Sequence, residues 1–307
     1  MNSRRKFIKK SSLGMLGVSF LPKLSLAKEK NVKITILHTN DMHSHIHPFS
    51  NGRNKGMGGM AQRASIINNI RKQEEHVLLF DAGDIFQGTP YFNFFGGELE
   101  LRLMSEIGYD AATLGNHDFD NGLTGLNNQI HHAKFPFLSA NYDFSKTILK
   151  DKFKPYKIFN KGNIKIGVFG IGIELEGLVP KKLYEKTMYQ DPIQKANYYA
   201  KILKKKKKCD LVVCLSHLGF KYKNDKVSDI TLASSTENID LIIGGHTHTF
   251  LKKPVKILNL KKKNVLINQV GWAGINIGKI DFNFKQNKRK KDVKSLAIFV
   301  ENKSIVA

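Results

Sequence analysis

The sequence predicts an α/β fold with mixed β-sheets and a functional site at the carboxyl ends of its strands. Apolar, β-rich runs alternate with segments of helical spacing, and nearly every such run ends in a loop rich in Asp, Asn or His. The last two runs form a hairpin, so the sheets cannot be wholly parallel. The chain has 307 residues with 41% hydrophobic and 25% charged side chains, a globular composition with a sizeable core.

The alternation of strands and helices can be followed along the whole chain. Strands are predicted at 32–38, 77–80, 111–114, 137–140, 164–173, 211–216, 241–244, 265–269, 275–284 and 295–301. Helices are predicted at 60–72, 98–107, 123–133, 192–207 and 228–235. The segment 144–156 is rich in Lys and Asp and is predicted to be a hinge-like connection. Lys288 is placed in the turn of the closing hairpin.

The N-terminal residues have the order of an export signal. Arg4 and Arg5 form a twin-arginine pattern, an apolar segment follows at 13–21, and Ser25-Leu26-Ala27 offers small residues for cleavage. We therefore predict a twin-arginine signal peptide at residues 1–27 and a single mature domain at 28–307. The expected location is the periplasm, or otherwise outside the cytoplasm, with no stable membrane insertion after cleavage.

The chain is strongly basic. Its formal charge is +24, and removal of residues 1–27 would take away six cations and no acid, leaving +18. Lysine runs at 204–208, 261–263 and 288–291 could attract phosphate-rich partners, but they lie in predicted turns without interleaved aromatic residues. We interpret them as solvated turns and expect no specific nucleic-acid binding. Cys209 and Cys214 are predicted to be buried thiols rather than a disulfide.

Loops after five predicted strands carry side chains that can bind metal ions. Carboxylate and amide oxygens suit hard divalent cations, and imidazole nitrogens suit borderline ones. The seven candidates fit two cations roughly 3.5–4 Å apart, with one carboxylate able to bridge them. Zinc, manganese or iron would suit this mixture of ligands. The candidate ligands are Asp41, His43, Asp84, Asn116, His217, His246 and His248.

His117 lies beside this predicted site but is better kept free of metal. An imidazole there can stabilise the transition state and protonate the leaving alkoxide. Asp120 follows three residues later and is placed to fix the tautomer of His117. We therefore predict His117 and Asp120 as a catalytic pair.

These motifs resemble the calcineurin-like metallophosphoesterases, and specifically the catalytic domain of the 5′-nucleotidase family. The resemblance covers residues 32–284 and rests on five motifs in family order. It implies a four-layer α/β/β/α sandwich. It also implies one cation held by Asp41, His43, Asp84 and His248, and a second held by Asp84, Asn116, His217 and His246. The motifs are Ile36 to Ser44, Gly83-Asp84, Tyr109 to Asp120, Ser216-His217 and Gly244 to His248.

The resemblance implies hydrolysis of phosphate monoesters, with 5′-nucleotides as the expected substrates. A metal-bound hydroxide would attack while His117 and Asp120 assist, and Asn116, His117 and Asn141 would contact the substrate. Asp118 stands where the family usually has Glu, and His248 stands where several members have an amide. Neither change removes a ligand type that the site needs.

Three alternatives use much the same residues. The chain could hydrolyse cyclic-nucleotide phosphodiesters or sulfur esters. It could also be the catalytic or binding subunit of a split nucleotidase. Secreted members of the family usually continue into a second domain that binds the nucleoside, and the 307 residues do not include one. A separate substrate-domain protein is therefore an expected partner under this last alternative.

Overall fold

The computed structural model describes residues 31–285 and 290–301. The predicted signal peptide and the turn at Lys288 lie outside the described residues. In chain order the strands are β1 (Val32–Thr39), β2 (Val77–Asp81), β3 (Ala111–Thr113), β4 (Phe137–Leu138), β5 (Tyr142–Asp143), β6 (Tyr156–Lys161), β7 (Ile164–Ile171), β8 (Met188–Tyr189), β9 (Leu211–Ser216), β10 (Leu241–Gly244), β11 (Val255–Leu258), β12 (Asn264–Asn268), β13 (Asn276–Phe284) and β14 (Lys290–Phe299).

The helices of the described chain are short and lie between these strands. They are α1 (Met60–Gln73), α2 (Pro90–Phe95), α3 (Glu98–Ile107), α4 (Gly122–Gln129), α5 (Lys181–Tyr184), α6 (Pro192–Lys201) and α7 (Asp229–Ser234). Single turns of 3₁₀-helix occur at His117–Phe119 and Ile130–His132, and a π-helical turn at Ile202–Lys206 extends α6. In the part of the chain that the structure describes, no helix is both long and apolar enough to span a bilayer.

Two six-stranded sheets form the centre of the molecule. The first has the order β14-β13-β1-β2-β3-β4, and the second has the order β11-β12-β10-β9-β7-β6. Strands β1 to β4 are parallel to one another, as are β7, β9, β10 and β12. Strands β13 and β14 of the first sheet and β6 and β11 of the second pair antiparallel with their neighbours. The prediction of mixed sheets with a closing hairpin is confirmed. Strands β5 and β8 form a separate small ribbon.

Three apolar layers hold the sheets and helices together, which confirms the four-layer sandwich. Alternate side chains of β9 show the arrangement. Val213 packs between the two sheets, while Val212 points away from the first sheet toward the layer under α6 and α7. On the far side of the first sheet, Ile67 of α1 and Leu101 of α3 belong to a third layer. Because strand side chains alternate between faces, each buried strand supplies two layers at once.

The structure corrects several local predictions. Strand β6 begins at Tyr156, the last residue of the predicted hinge at 144–156, and continues to Lys161. Residue types do not predict β6, because its lysines and asparagine lie on an edge strand and interrupt the apolar pattern. Strand β11, which also exposes alternate side chains, lies outside the predicted strands as well. Cys209 and Cys214 are buried free thiols, as predicted, and both lie in the layer under α6 and α7.

The loops that follow β1, β2, β3, β9 and β10 meet at one end of the sandwich. The backbone N–H of Asp41 donates to the Gly83 carbonyl at 2.9 Å, which joins the first two loops. A Cβ atom at Gly83 would lie 2.6 Å from the Gly115 nitrogen and 2.8 Å from Nδ1 of His217. Glycine at position 83 therefore lets loops from both sheets approach each other closely.

Asp118 joins the loops after β2 and β3. One carboxylate oxygen accepts hydrogen bonds from the backbone N–H groups of Gly115 at 2.8 Å and Asp84 at 3.1 Å. The other accepts from Ile85 at 3.0 Å and Phe86 at 3.3 Å. Buried N–H groups need acceptors, so this one side chain fixes the shape of both loops. The sequence suggested only a mild departure from the family at this position.

We expect Asp118→Ala to lower the free energy of unfolding by at least about 3 kcal/mol, because four buried N–H groups lose their acceptor. Urea denaturation of the metal-free protein measures this loss. Asp118→Asn is the comparison, since its one oxygen can still accept from two of the N–H groups, whereas its amide nitrogen cannot accept from the other two. We expect it to recover only part of the lost stability. Equal stability of the alanine variant and the unaltered chain would show that the loops do not depend on Asp118.

Candidate metal centre

All seven predicted metal ligands lie at this end of the sandwich, in two adjoining groups. Asp41, His43 and His248 each offer one ligand atom, and these three atoms lie within 4.8 Å of one another. A second group, with the same spacing, consists of Asp84, His217 and His246. Asn116 adjoins the second group, because its Oδ1 lies 2.8 Å from Nδ1 of His246.

The Asp84 carboxylate lies between the two groups. Its Oδ2 is 3.0 Å from Nε2 of His217 in the second group and 3.8 Å from Nε2 of His43 in the first. Its Oδ1 accepts a hydrogen bond from the backbone N–H of His117 at 2.8 Å. Asp84 is thus within reach of both ligand groups.

Backbone carbonyls orient two of the imidazoles. Nδ1 of His217 lies 2.6 Å from the Ala82 carbonyl oxygen, and Nδ1 of His43 lies 3.1 Å from that of Gln87. A ring nitrogen that donates to a carbonyl leaves Nε2 with its lone pair free for a metal. Nε2 of His217 is buried and lies 3.0 Å from Oδ2 of Asp84. Although burial opposes it, Asp84 and Asp41 raise the pKa of His217 to about 10, so a cation bound at this nitrogen would displace a proton. A buried imidazole nitrogen this close to a carboxylate is a donor set that suits a divalent cation.

Burial shifts the pKa of three other candidate ligands, His246, His248 and Asp41. It lowers the pKa of His246 to about 3 and that of His248 to about 4, which keeps both rings in the neutral, metal-binding form. Burial also raises the pKa of Asp41 to about 8, although His217 lies nearby. The pKa of Asp84 would likewise rise on burial, but His217 and His43 hold it below its usual value. Two buried carboxyl groups favour positive charge at this position.

The backbone at the site is strained. Five of the seven predicted ligands have positive φ angles, between 47° and 72°. Residues other than glycine reach this left-handed region at a cost of order 1–3 kcal/mol each, and they cluster at functional sites. The turns aim successive side chains at one point instead of at opposite faces. The five are Asp41, His43, Asp84, His246 and His248.

His117 and Asp120 form a pair at the edge of the site. Nδ1 of His117 lies 2.8 Å from Oδ2 of Asp120, and the His117 ring centroid lies 5.3 Å from that of His43. The hydrogen bond with Asp120 raises the pKa of His117 above its ordinary value, and Asp84 adds to the effect. The His117 side chain is 38% exposed, so it is open to an incoming molecule.

Asn141 has a structural partner. Its Nδ2 donates to the Gly172 carbonyl and its Oδ1 accepts from the Gly172 N–H, both at 2.8 Å. These bonds tie the loop after β4 to the end of β7. The contact of Asn141 with substrate stays a prediction.

Two backbone carbonyls and one aromatic ring also contact the candidate ligands. The carbonyls of Ala82 and Gln87 have no signature in the sequence, because every residue has a carbonyl. Trp272 stacks on His248 with an interplanar angle of 4° and a centroid distance of 5.6 Å. It is the one tryptophan of the chain, and its place in a loop after an apolar strand was the available signal.

Comparisons with known proteins identify the family. Residues 34–250, more than half of the chain, match the model of the calcineurin-like phosphoesterase family. The chain is 37% identical over 243 residues to snake venom 5′-nucleotidase from Gloydius brevicauda, which covers 76% of this chain and 40% of the relative. It is 34% identical over 303 residues to the 5′-nucleotidase of Vibrio cholerae, which covers 89% of this chain and 53% of the relative.

Solved structures give the same result. The 5′-nucleotidase precursor from Thermus thermophilus superposes with a TM-score of 0.78 at 29% identity, covering 88% of this chain and 55% of that one. The chain thus spans about half the length of these relatives. The family match, the fold and the two ligand groups agree, and the chain belongs to the calcineurin-like phosphoesterases, a family of metal-dependent phosphoric ester hydrolases.

Proposed function

We propose that this chain is a two-cation phosphomonoesterase that hydrolyses 5′-nucleotides. The observation that carries the proposal is the position of Asp84 between two ligand groups, with the His117–Asp120 pair beside them. The choice of 5′-nucleotides rests on the relatives named 5′-nucleotidase. Export by the twin-arginine route is part of the same proposal and rests on the sequence alone.

Four side chains would hold each cation. Asp84 is common to both sets, and Asn116 completes the second set through the oxygen that faces His246. Two such ions would supply positive charge to the phosphoryl oxygens and would lower the pKa of water, so that hydroxide is available at neutral pH. The first set is Asp41, His43, Asp84 and His248, and the second is Asp84, Asn116, His217 and His246.

His117 would deliver a proton to the leaving oxygen. Its Nδ1 donates to Asp120, so the second proton of the imidazolium is carried on Nε2. The raised pKa keeps a larger fraction of His117 protonated near neutral pH, which suits a general acid. Asp120 would hold the ring in place, while Asn116 and His117 contact the phosphoryl group.

The first test is phosphate release by the purified chain loaded with Mn²⁺ or Zn²⁺. We expect turnover of 5′-AMP and a preference for it over a simple aryl phosphate, a cyclic nucleotide and a sulfate ester. Turnover of the aryl phosphate at least equal to that of 5′-AMP would contradict the nucleotide preference and favour specificity supplied by a separate protein. Faster turnover of the cyclic nucleotide or the sulfate ester would favour those alternatives.

We expect Asp84→Ala to lose both cations, because each ligand set loses the same carboxylate. Elemental analysis after gel filtration measures the metal content. Asp110→Ala is the control, since Asp110 is partly buried and accepts a hydrogen bond from the Leu79 N–H at 2.8 Å, but belongs to neither set. Full metal content in Asp84→Ala would be incompatible with a bridging role.

We expect His117→Ala to keep its metal while turnover falls by roughly 10²–10⁴-fold, the usual contribution of a general acid or base. Steady-state kinetics and elemental analysis on the same sample separate the two effects. His131→Ala is the control, because His131 is exposed and outside the site. Normal turnover of His117→Ala would exclude His117 as the proton donor.

A further inference from the structure

A cavity of about 640 Å³ lies beside the proposed metal centre. This volume falls within the range of about 300–1,000 Å³ that small-molecule sites occupy. Its walls are mostly apolar and come from the glycine-rich loop before α1, the loop after β10 and the edge strand β14. Side chains that line it include Met57, Phe250, Trp272, Leu296 and Phe299.

Trp272 connects the cavity to the metal centre. It lines the cavity, and its ring also stacks on His248, one of the proposed metal ligands. The ring of His43 lies 5.0 Å from that of His248, and the His117 ring lies 5.3 Å from that of His43. A row of aromatic rings therefore runs from the proposed proton donor to the cavity wall.

Asn276 is an unpaired polar group in the cavity wall. It is only 5% exposed, and its Oδ1 has no hydrogen-bond partner among the described residues. It pairs with Phe299 across β13 and β14, so the two side chains lie on the same face of the sheet. A buried amide oxygen without a partner is costly unless a ligand satisfies it.

The charge at the cavity fits an anionic substrate. Arg53 and Lys252 line it, and none of its described lining residues is acidic. Exposed apolar side chains remain beside these cations, since Phe250 is 48% exposed and Phe299 is 58% exposed. Flat apolar walls, one acceptor and nearby positive charge together suit a planar heteroaromatic group attached to a phosphate.

We propose that this cavity binds the nucleobase of the substrate, with the base against Trp272 and an N–H of its edge donated to Asn276. The catalytic domain then carries a nucleoside site of its own. The inference rests on the proposed nucleotide hydrolysis for its biological meaning. The binding step itself requires neither the cations nor the reaction.

The experiment uses Trp272 as the probe, because it is the one tryptophan in the 307 residues. Adenosine, which has no phosphate, is titrated into the full chain after treatment with a chelator, and indole fluorescence is excited where adenosine does not absorb. We expect a saturable change with adenosine and none with ribose. A signal that does not saturate with adenosine overturns the proposal.

Two matched double variants locate the binding site. Leu296→Ser with Phe299→Ser removes two exposed cavity side chains, and we expect adenosine to bind about tenfold more weakly, the order of discrimination by an apolar pocket. Leu258→Ser with Leu260→Ser changes two leucines that are 54% and 59% exposed and do not line the cavity. Equal weakening in both double variants overturns the assignment.

Asn276→Leu tests the hydrogen bond. The near-isosteric change should weaken adenosine binding by roughly fivefold to tenfold, while the melting temperature rises or stays the same because an unpaired buried amide is removed. Undiminished adenosine affinity in this variant contradicts the role of Asn276. Weaker adenosine binding together with a lower melting temperature shows instead that Asn276 stabilises the fold, which also contradicts its role as a ligand contact.

Failure of this inference can be distinguished from failure of the proposed function. Hydrolysis of 5′-AMP without saturable adenosine binding overturns the cavity assignment and leaves the phosphatase intact. Adenosine binding without hydrolysis of 5′-AMP by the metal-loaded chain overturns the proposed reaction and supports the cavity. If the chain hydrolyses 5′-AMP in preference to ribose 5-phosphate, and the double variant Leu296→Ser with Phe299→Ser loses this preference, both the reaction and the cavity assignment are supported.

Discussion

The Asp84 carboxylate is the constraint on which the rest of the site depends. It is buried and faces imidazoles of both ligand groups, and it also accepts the backbone N–H of His117. A buried carboxylate is tolerated only where charge and hydrogen bonds compensate its loss of water. The loops around it must therefore approach within hydrogen-bonding distance. The glycine at 83 and the four N–H groups gathered by Asp118 make that approach possible.

Each ligand group draws members from both sheets. The loops of the first sheet supply the oxygen ligands and His43, whereas the loops of the second sheet supply the other three imidazoles. Cations held in these groups would link the two halves of the sandwich at the end where the apolar layer between the sheets stops. Metal binding and sheet packing would then stabilise each other, because ligands that converge only in the folded chain couple metal affinity to folding.

The sequence was sufficient for the strands that carry the site, because a buried strand is an apolar run and its end is marked by Asp, Asn or His. Strand β10 and the ligands after it are one example. Edge strands such as β6 and β11 expose alternate lysines and asparagines, so their composition resembles that of a loop. The number of layers came from the resemblance to a family, since periodicity shows which residues are buried but not what covers them.

Other features could not have been read from residue types. The left-handed backbone at Asp41 and His248 is imposed by the surrounding loops, since local preference disfavours it. The role of Asp118 depends on where four backbone N–H groups meet. Interactions that depend on convergence in space leave little trace in a single sequence, and the functional end of this molecule consists largely of them.

The loop at 271–274 joins the cavity to the metal centre. The N–H of Ala273 donates to the Asp41 carbonyl at 2.7 Å, and the neighbouring Trp272 stacks on His248. The segment that forms the cavity wall therefore contacts two members of the first ligand group, Asp41 and His248. A base bound against Trp272 would restrain the same ring that supports His248. Substrate selection and cation geometry would thus depend on one short loop.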